Sequence, residues 1–133
     1  MLTLTREQMI NTVELSYFSN IDHKNIDVVL DCFASDATFT IQSAFTSYVG
    51  RDSEIKTFYE TITSTFQTIW HGDFEHTVDV DQQRISTQFN VRRTDMKSVE
   101  SSMSNCNVFR FQNGKFQNVF VYASGGSHLI PDE

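Results

Sequence analysis

The chain reads as an α+β domain, helices first and strands last. Two observations carry that expectation. Apolar residues recur at helical spacing up to about residue 66, and from about 68 the period falls to two for the rest of the chain. A run of helices followed by a run of strands belongs to an α+β layout rather than to alternating units around a parallel sheet.

Each element has its own signal. Thr5-Arg-Glu-Gln8 has the spacing of a capping box, and Met9, Ile10, Val13 and Tyr17 continue it as an apolar stripe, predicting a helix over about 6–19. Ile26, Val29, Leu30 and Phe33 follow i, i+3, i+4, i+7 and predict a second, shorter helix. Asp36 to Ile41 is rich in β-branched and aromatic residues and reads as a strand. Gly50-Arg-Asp52 punctuates the chain, with Asp52 as the expected N-cap of a third helix. Ile55, Phe58, Tyr59, Ile62 and Phe66 form its apolar face. Long strands follow over roughly 68–80, 84–94, 98–112 and 115–123, the last two joined by Asn113-Gly114, a strong hairpin turn.

At 133 residues this is one domain, with a core over about 5–123 and a loose tail over 124–133. Twelve phenylalanines suit a core that encloses a cavity, and they equally suit a solid core. A net charge of −7 argues against a nucleic-acid partner, whose affinity rests on Lys and Arg neutralising phosphate. No apolar stretch approaches the ~20 residues of a membrane span. Met-Leu-Thr-Leu-Thr-Arg lacks the pattern of a signal peptide, and Cys32 and Cys106 stand far apart. A cytoplasmic location is therefore expected. In the last strand, simple alternation puts Phe116, Phe120 and Tyr122 on one face and Val119, Val121 and Ala123 on the other. Two apolar faces imply a second cover, and a homodimer through the outer sheet face is expected.

Several local motifs stand in this element order: Tyr17 to Asp27 at a helix junction and Cys32-Phe-Ala-Ser-Asp-Ala-Thr-Phe39 at the first strand. Gly50-Arg51 with Ile55 and Phe58-Tyr59, the His71 segment, and Phe109 to Lys115 complete the set. Together and in this order they resemble the nuclear transport factor 2-like superfamily, which includes the SnoaL-like cyclases, ketosteroid isomerase and scytalone dehydratase. The resemblance implies a cone: three N-terminal helices packed on a strongly curved, mostly antiparallel sheet, with an internal pocket. It implies a small-molecule guest and no cofactor.

Residue by residue, Asp22, His71 and Asn107 stand where scytalone dehydratase-like enzymes carry an Asp, a His and an Asn. Their second His falls near Arg93 and a pocket Tyr near Ile41. Tyr17 matches the oxyanion Tyr of ketosteroid isomerase, whose carboxylate base falls on Ile41 and whose second oxyanion acid falls on Asn107. SnoaL-like cyclases use an acidic base late in the sheet, a role the Asn107 amide cannot fill because it does not titrate. What the resemblance leaves is an Asp22–His71 general base, with Tyr17, Asn107, Arg93, Phe58, Trp70 and Phe109 around the substrate. Elimination, isomerisation or cyclisation of a small carbonyl compound is the chemistry implied, and a non-catalytic ligand-binding or dimeric assembly module is the alternative.

The residues also allow plainer roles. Asp22 can neighbour the N-terminus of the second helix. Strict alternation puts His71 with Asp73 and Glu75 on a solvated face, unless a bulge near 75–77 changes the parity and lets His71 and Val78 face inward. His71, Asp73 and Glu75 at i, i+2, i+4 make a weak metal pattern that a solvated row of charge explains better, so no metal is expected. Asn107 shares its face with Met103, Phe109 and Phe111 and can be a satisfied core amide; Tyr17 can be packing, and Arg93 a rim salt bridge.

Overall fold

A computed structural model describes residues 2–124. Helix α1 runs over 6–22, and the capping box at its start forms: Gln8 N–H donates to Thr5 Oγ1, and Thr5 N–H donates to Gln8 Oε1. The helix runs three residues past its expected end, and its middle, Thr12–Phe18, opens into a π-helical turn before Ser19–Asp22 resumes the α form. The buried residues Met9, Val13, Tyr17 and Ile21 recur every four positions. That step is wider than the 3.6 of a regular helix, and the wide turn keeps the stripe on one face.

Helix α2 (Ile26–Asp31) leads into strand β1 (Phe33–Ile41), a short turn, and strand β2 (Thr46–Val49), which the sequence reading did not anticipate. Helix α3 covers 50–65. Asp52 does not cap it: its carboxylate is held by the Arg51 guanidinium, and Glu54 reaches back to accept from the Val49 N–H. Strands β3 (Phe66–Asp79), β4 (Arg84–Asp95), β5 (Glu100–Gln112) and β6 (Lys115–Ala123) complete one sheet in the order β2-β1-β6-β5-β4-β3. Among the described residues only the β1–β6 pairing is parallel. The turn at Asn113-Gly114 takes positive φ at both residues, as a two-residue hairpin requires. The helices pack on the inner face of this curved sheet in the expected α+β cone. The expected loose tail lies, apart from Ser124, outside the described residues.

Two bulges set which side chains face inward. Between Gly72 and Glu75 the β3–β4 register slips, with Asp73 at φ 56°. The extra residue changes the parity, so Ile69, His71, Phe74, His76 and Val78 share the inner side. The bulge sits a few residues before the 75–77 expected for it. In β6 one step on β5 from Arg110 to Phe111 spans two on β6, from Asn118 to Phe116, leaving Gln117 as the extra residue. Phe116 therefore faces inward with Val119 and Val121, and only Phe120 and Tyr122 face outward. The simple alternation assigned Phe116 to the wrong face. No helix among the described residues is long and apolar enough to cross a membrane.

Candidate active site

The inner faces of β1 and β3–β6, with helices α1 and α3, line a cavity of about 50 Å³. A single water needs roughly 10–15 Å³ by such a measure, so the space takes a few waters or a compact organic guest. Its wall is mostly apolar, with Ile21, Phe39, Phe58, Ile62, Ile69 and Met103 prominent, and its polar groups come from Tyr17, Tyr59, His71, Arg93, Asn105 and Asn107.

Asp22, at the end of α1, is committed to His71 through both carboxylate oxygens. Oδ2 accepts the His71 backbone N–H at 2.9 Å, and Oδ1 lies 2.5 Å from ring Nδ1. An ionised carboxylate only accepts, so the proton of this contact sits on Nδ1. In the neutral ring Nε2 is then left with a lone pair. The ring is enclosed: it packs against Phe18 at 4.8 Å and Phe89 at 5.7 Å, and its side chain is 11% exposed.

Tyr17 comes from the π-helical turn and Tyr59 from α3, and their hydroxyls hydrogen-bond to each other. Burial pushes both phenols well above the ordinary value, with Tyr59 raised further by the neighbouring Tyr17. Both hydroxyls thus keep their protons across the physiological range. Their mutual bond uses one of the two protons, and the other remains as a donor at the cavity wall.

Asn107 is 3% exposed, and its Oδ1 has no hydrogen-bond partner among the described residues. A buried acceptor left unmade costs about 1–3 kcal/mol, so the fold tolerates a polar group here that its own packing does not satisfy. The neighbouring Asn105 differs, since its Oδ1 accepts from the Ser124 N–H. Arg93 is 7% exposed, its guanidinium stacks 4.1 Å over the Phe66 ring, and Nη2 approaches the Met103 sulfur at 4.0 Å. Burial lowers its pKa to about 10, which leaves it charged at neutral pH.

The residues expected around the substrate therefore divide. Asp22, His71, Tyr17, Asn107, Arg93 and Phe58 meet at the cavity, with Asp22 behind His71. Trp70 does not: it lies on the outer face, 40% exposed, under the Arg92 guanidinium at 4.9 Å. Its ring covers Gly72 so closely that a Cβ there would come within 2.1 Å of it. Phe109 is fully buried but packs behind Tyr17, 5.5 Å between centroids, rather than at the cavity. Asp73 and Glu75 are exposed and face away from His71; Asp73 accepts from Asn90. Tyr59 escaped the sequence reading because the helix stripe that contained it marks burial and not which phenols meet. His76 and Glu14 escaped it as well, and they form a second pair, with Nε2 2.5 Å from Oε2.

A family model described as a SnoaL-like domain matches residues 15–119. The chain belongs to that family. The matched span contains all the cavity residues named above. Solved structures agree on the fold. AusH from Aspergillus nidulans has a TM-score of 0.75 at 12% identity, covering 90% of this chain and 86% of that one. BvnE pinacolase from Penicillium brevicompactum has 0.75 at 14% identity, covering 90% and 87%. A protein with a ketosteroid isomerase-like fold from Catenulispora acidiphila, solved with trimethylamine, has 0.73 at 10% identity, covering 90% and 86%. Identities this low show the shared fold alone. Among proteins with curated descriptions no sequence matches.

Proposed function

We propose that this SnoaL-like domain is a cofactor-free lyase or isomerase that removes a proton from carbon next to the carbonyl of a small guest. The observation that carries the reading is the enclosed His71 ring, held by Asp22 through Nδ1 and the backbone N–H, with Nε2 left as the basic atom. Asp22 fixes the tautomer and stabilises the ring once it has taken the proton. The spare phenolic proton of the Tyr17–Tyr59 pair is the donor for the oxyanion that develops as the carbon is deprotonated. Asn107 Oδ1 calls for a hydroxyl or other donor on the guest, and Arg93 supplies positive charge for an acidic one. The cavity is far below the ~300–1,000 Å³ of drug-sized pockets, which favours a short-chain β-hydroxy or β-keto compound.

Incubation of the protein with short-chain β-hydroxy ketones in deuterated solvent tests the reading. Wild type exchanges the α-hydrogen or eliminates water. His71→Ala loses about 10²–10⁴-fold of that rate while still binding the guest. Unchanged turnover in His71→Ala ends the proposed role.

The second reading is a pocket that binds without turnover. Ile41 and Asn107, standing where ketosteroid isomerases carry carboxylates, favour it; guest binding with no exchange would select it. On the outer face Tyr122 is 50% exposed, and Phe120 is half-buried beneath Arg110 at 4.8 Å. This apolar strip supports a homodimer through that face. Sedimentation at micromolar concentration should give twice the monomer mass, and a monomer would refute the assembly.

A further inference from the structure

We propose that Glu14, His76 and Thr87 form a positioning device for the Asp22–His71 pair, the second pin of a two-point clamp between helix α1 and strand β3. The inference rests on the reading of His71 as the proton acceptor.

The cluster is chemically closed. His76 Nε2 lies 2.5 Å from Glu14 Oε2, and Nδ1 lies 2.8 Å from Thr87 Oγ1. Facing a carboxylate, Nε2 carries the proton, and Nδ1 then accepts from the threonine hydroxyl. Neither ring nitrogen is left for a guest, and the ring does not line the cavity. The His76 side chain is 8% exposed and Thr87 is fully buried. Glu14 is 33% exposed, so the desolvation cost falls mainly on the imidazole, and an apolar side chain in its place would avoid that cost. What the polar cluster adds is geometry.

That geometry bears on His71. Helix α1 runs antiparallel to β3, with Asp22 on His71 and Glu14 on His76. Glu14 and Asp22 stand eight residues apart, about 12 Å along a helix. A single pin at Asp22 would let the helix pivot about it; a second one fixes both slide and rotation. Asp22 must meet two donors of His71 at once, so small rotations break one of them. Productive constellations tolerate only about 10–20° of such error.

Two further features join the pins. A ladder of rings runs His71–Phe18 at 4.8 Å, Phe18–Phe74 at 5.2 Å and Phe74–His76 at 6.0 Å. The bulge at Asp73 matters as well, since residues five apart on a regular strand point to opposite faces. Asp73 at φ 56°, held by Asn90, brings both histidines under the same helix.

The test is histidine-selective ¹⁵N NMR on the full chain, with hydrogen exchange at the His71 amide. In His76→Phe, and in Thr87→Val, which removes only a hydroxyl, the His71 ring should lose its single Nδ1–H tautomer. Protection of its amide should fall about tenfold. Glu14→Gln keeps an acceptor for Nε2–H and should restore wild-type His71 signals, where Glu14→Ala does not. Thr87→Val carries the test if His76→Phe fails to fold. Folded variants with lowered Tm but unchanged His71 tautomer and amide protection would overturn the proposal and leave a merely structural cluster. Asp22→Asn serves as the control: unaltered His71 signals there would sink the general-base reading itself, a failure distinct from that of the clamp.

Discussion

Two histidines on one strand meet two carboxylates on one helix, yet the two pairs end in different chemical states. His71 and His76 each place one ring nitrogen 2.5 Å from a carboxylate oxygen, and each ring packs against a phenylalanine. The difference lies in the other nitrogen. In His76 it meets the Thr87 hydroxyl; in His71 it has no hydrogen-bond partner among the described residues, and the ring lines the cavity. The same acid–imidazole contact is thus a fastening in one place and a candidate base in the other. What decides between them is whether a neighbour occupies the ring's one acceptor lone pair. A histidine–carboxylate pair is not by itself a sign of catalysis, and the spare atom is the feature to look for.

The largest contrast is expected from neutralising the two acids in parallel. Asp22→Asn offers one acceptor to two donors, since its amide NH₂ must face either the His71 backbone N–H or the ring. Turnover of a short-chain β-hydroxy ketone should fall about 10²–10⁴-fold. Glu14→Gln still offers an acceptor to its single donor, and its loss should be under about tenfold. Comparable losses in steady-state assays of the two variants would erase the distinction between the pairs.

A smaller effect, on stability, separates a site that waits for a guest from one that is complete. Asn107→Leu removes an acceptor that the protein leaves unmade, so chemical denaturation should show a neutral change or a gain of up to about 1–3 kcal/mol, with guest binding lost. Thr87→Val removes a hydroxyl that is bonded, and should cost about 1–2 kcal/mol. A loss in Asn107→Leu equal to that in Thr87→Val would mean that the amide is part of the packing.

The smallest effect concerns pH. Tyr17 and Tyr59 have folded pKa values raised by burial. The unfolded chain therefore releases phenolic protons above the ordinary value of about 10 while the folded chain keeps them. Their contribution to stability is intact below that pH and falls as pH rises beyond it. Urea midpoints should drop more steeply above pH 10 in wild type than in Tyr17→Phe/Tyr59→Phe.

The layout was legible where the signal is local. The capping box at Thr5, the turn at Asn113-Gly114 and the change of period near 68 each depend on a few adjacent residues, and each is in the structure. The facing of side chains was legible only in part, because it depends on bulges at Asp73 and Gln117 that each add one residue; Gly72 stands beside the first, and no glycine or proline adjoins the second. The misplacement of Phe116 follows directly from that. Trp70 was expected beside the substrate together with His71, yet the two are neighbours on a strand and so point to opposite faces. Tyr59 and His76 needed contacts across 42 and 62 residues of chain, which no local pattern encodes.

The most direct measurement is a titration of ¹⁵N-histidine-labelled protein with a short-chain alcohol small enough for the cavity, read at the four ring nitrogens of His71 and His76. His71 Nε2 alone should shift, as it accepts the hydroxyl, while His76 stays fixed by its two partners. No response at His71, or equal responses at both rings, would contradict it.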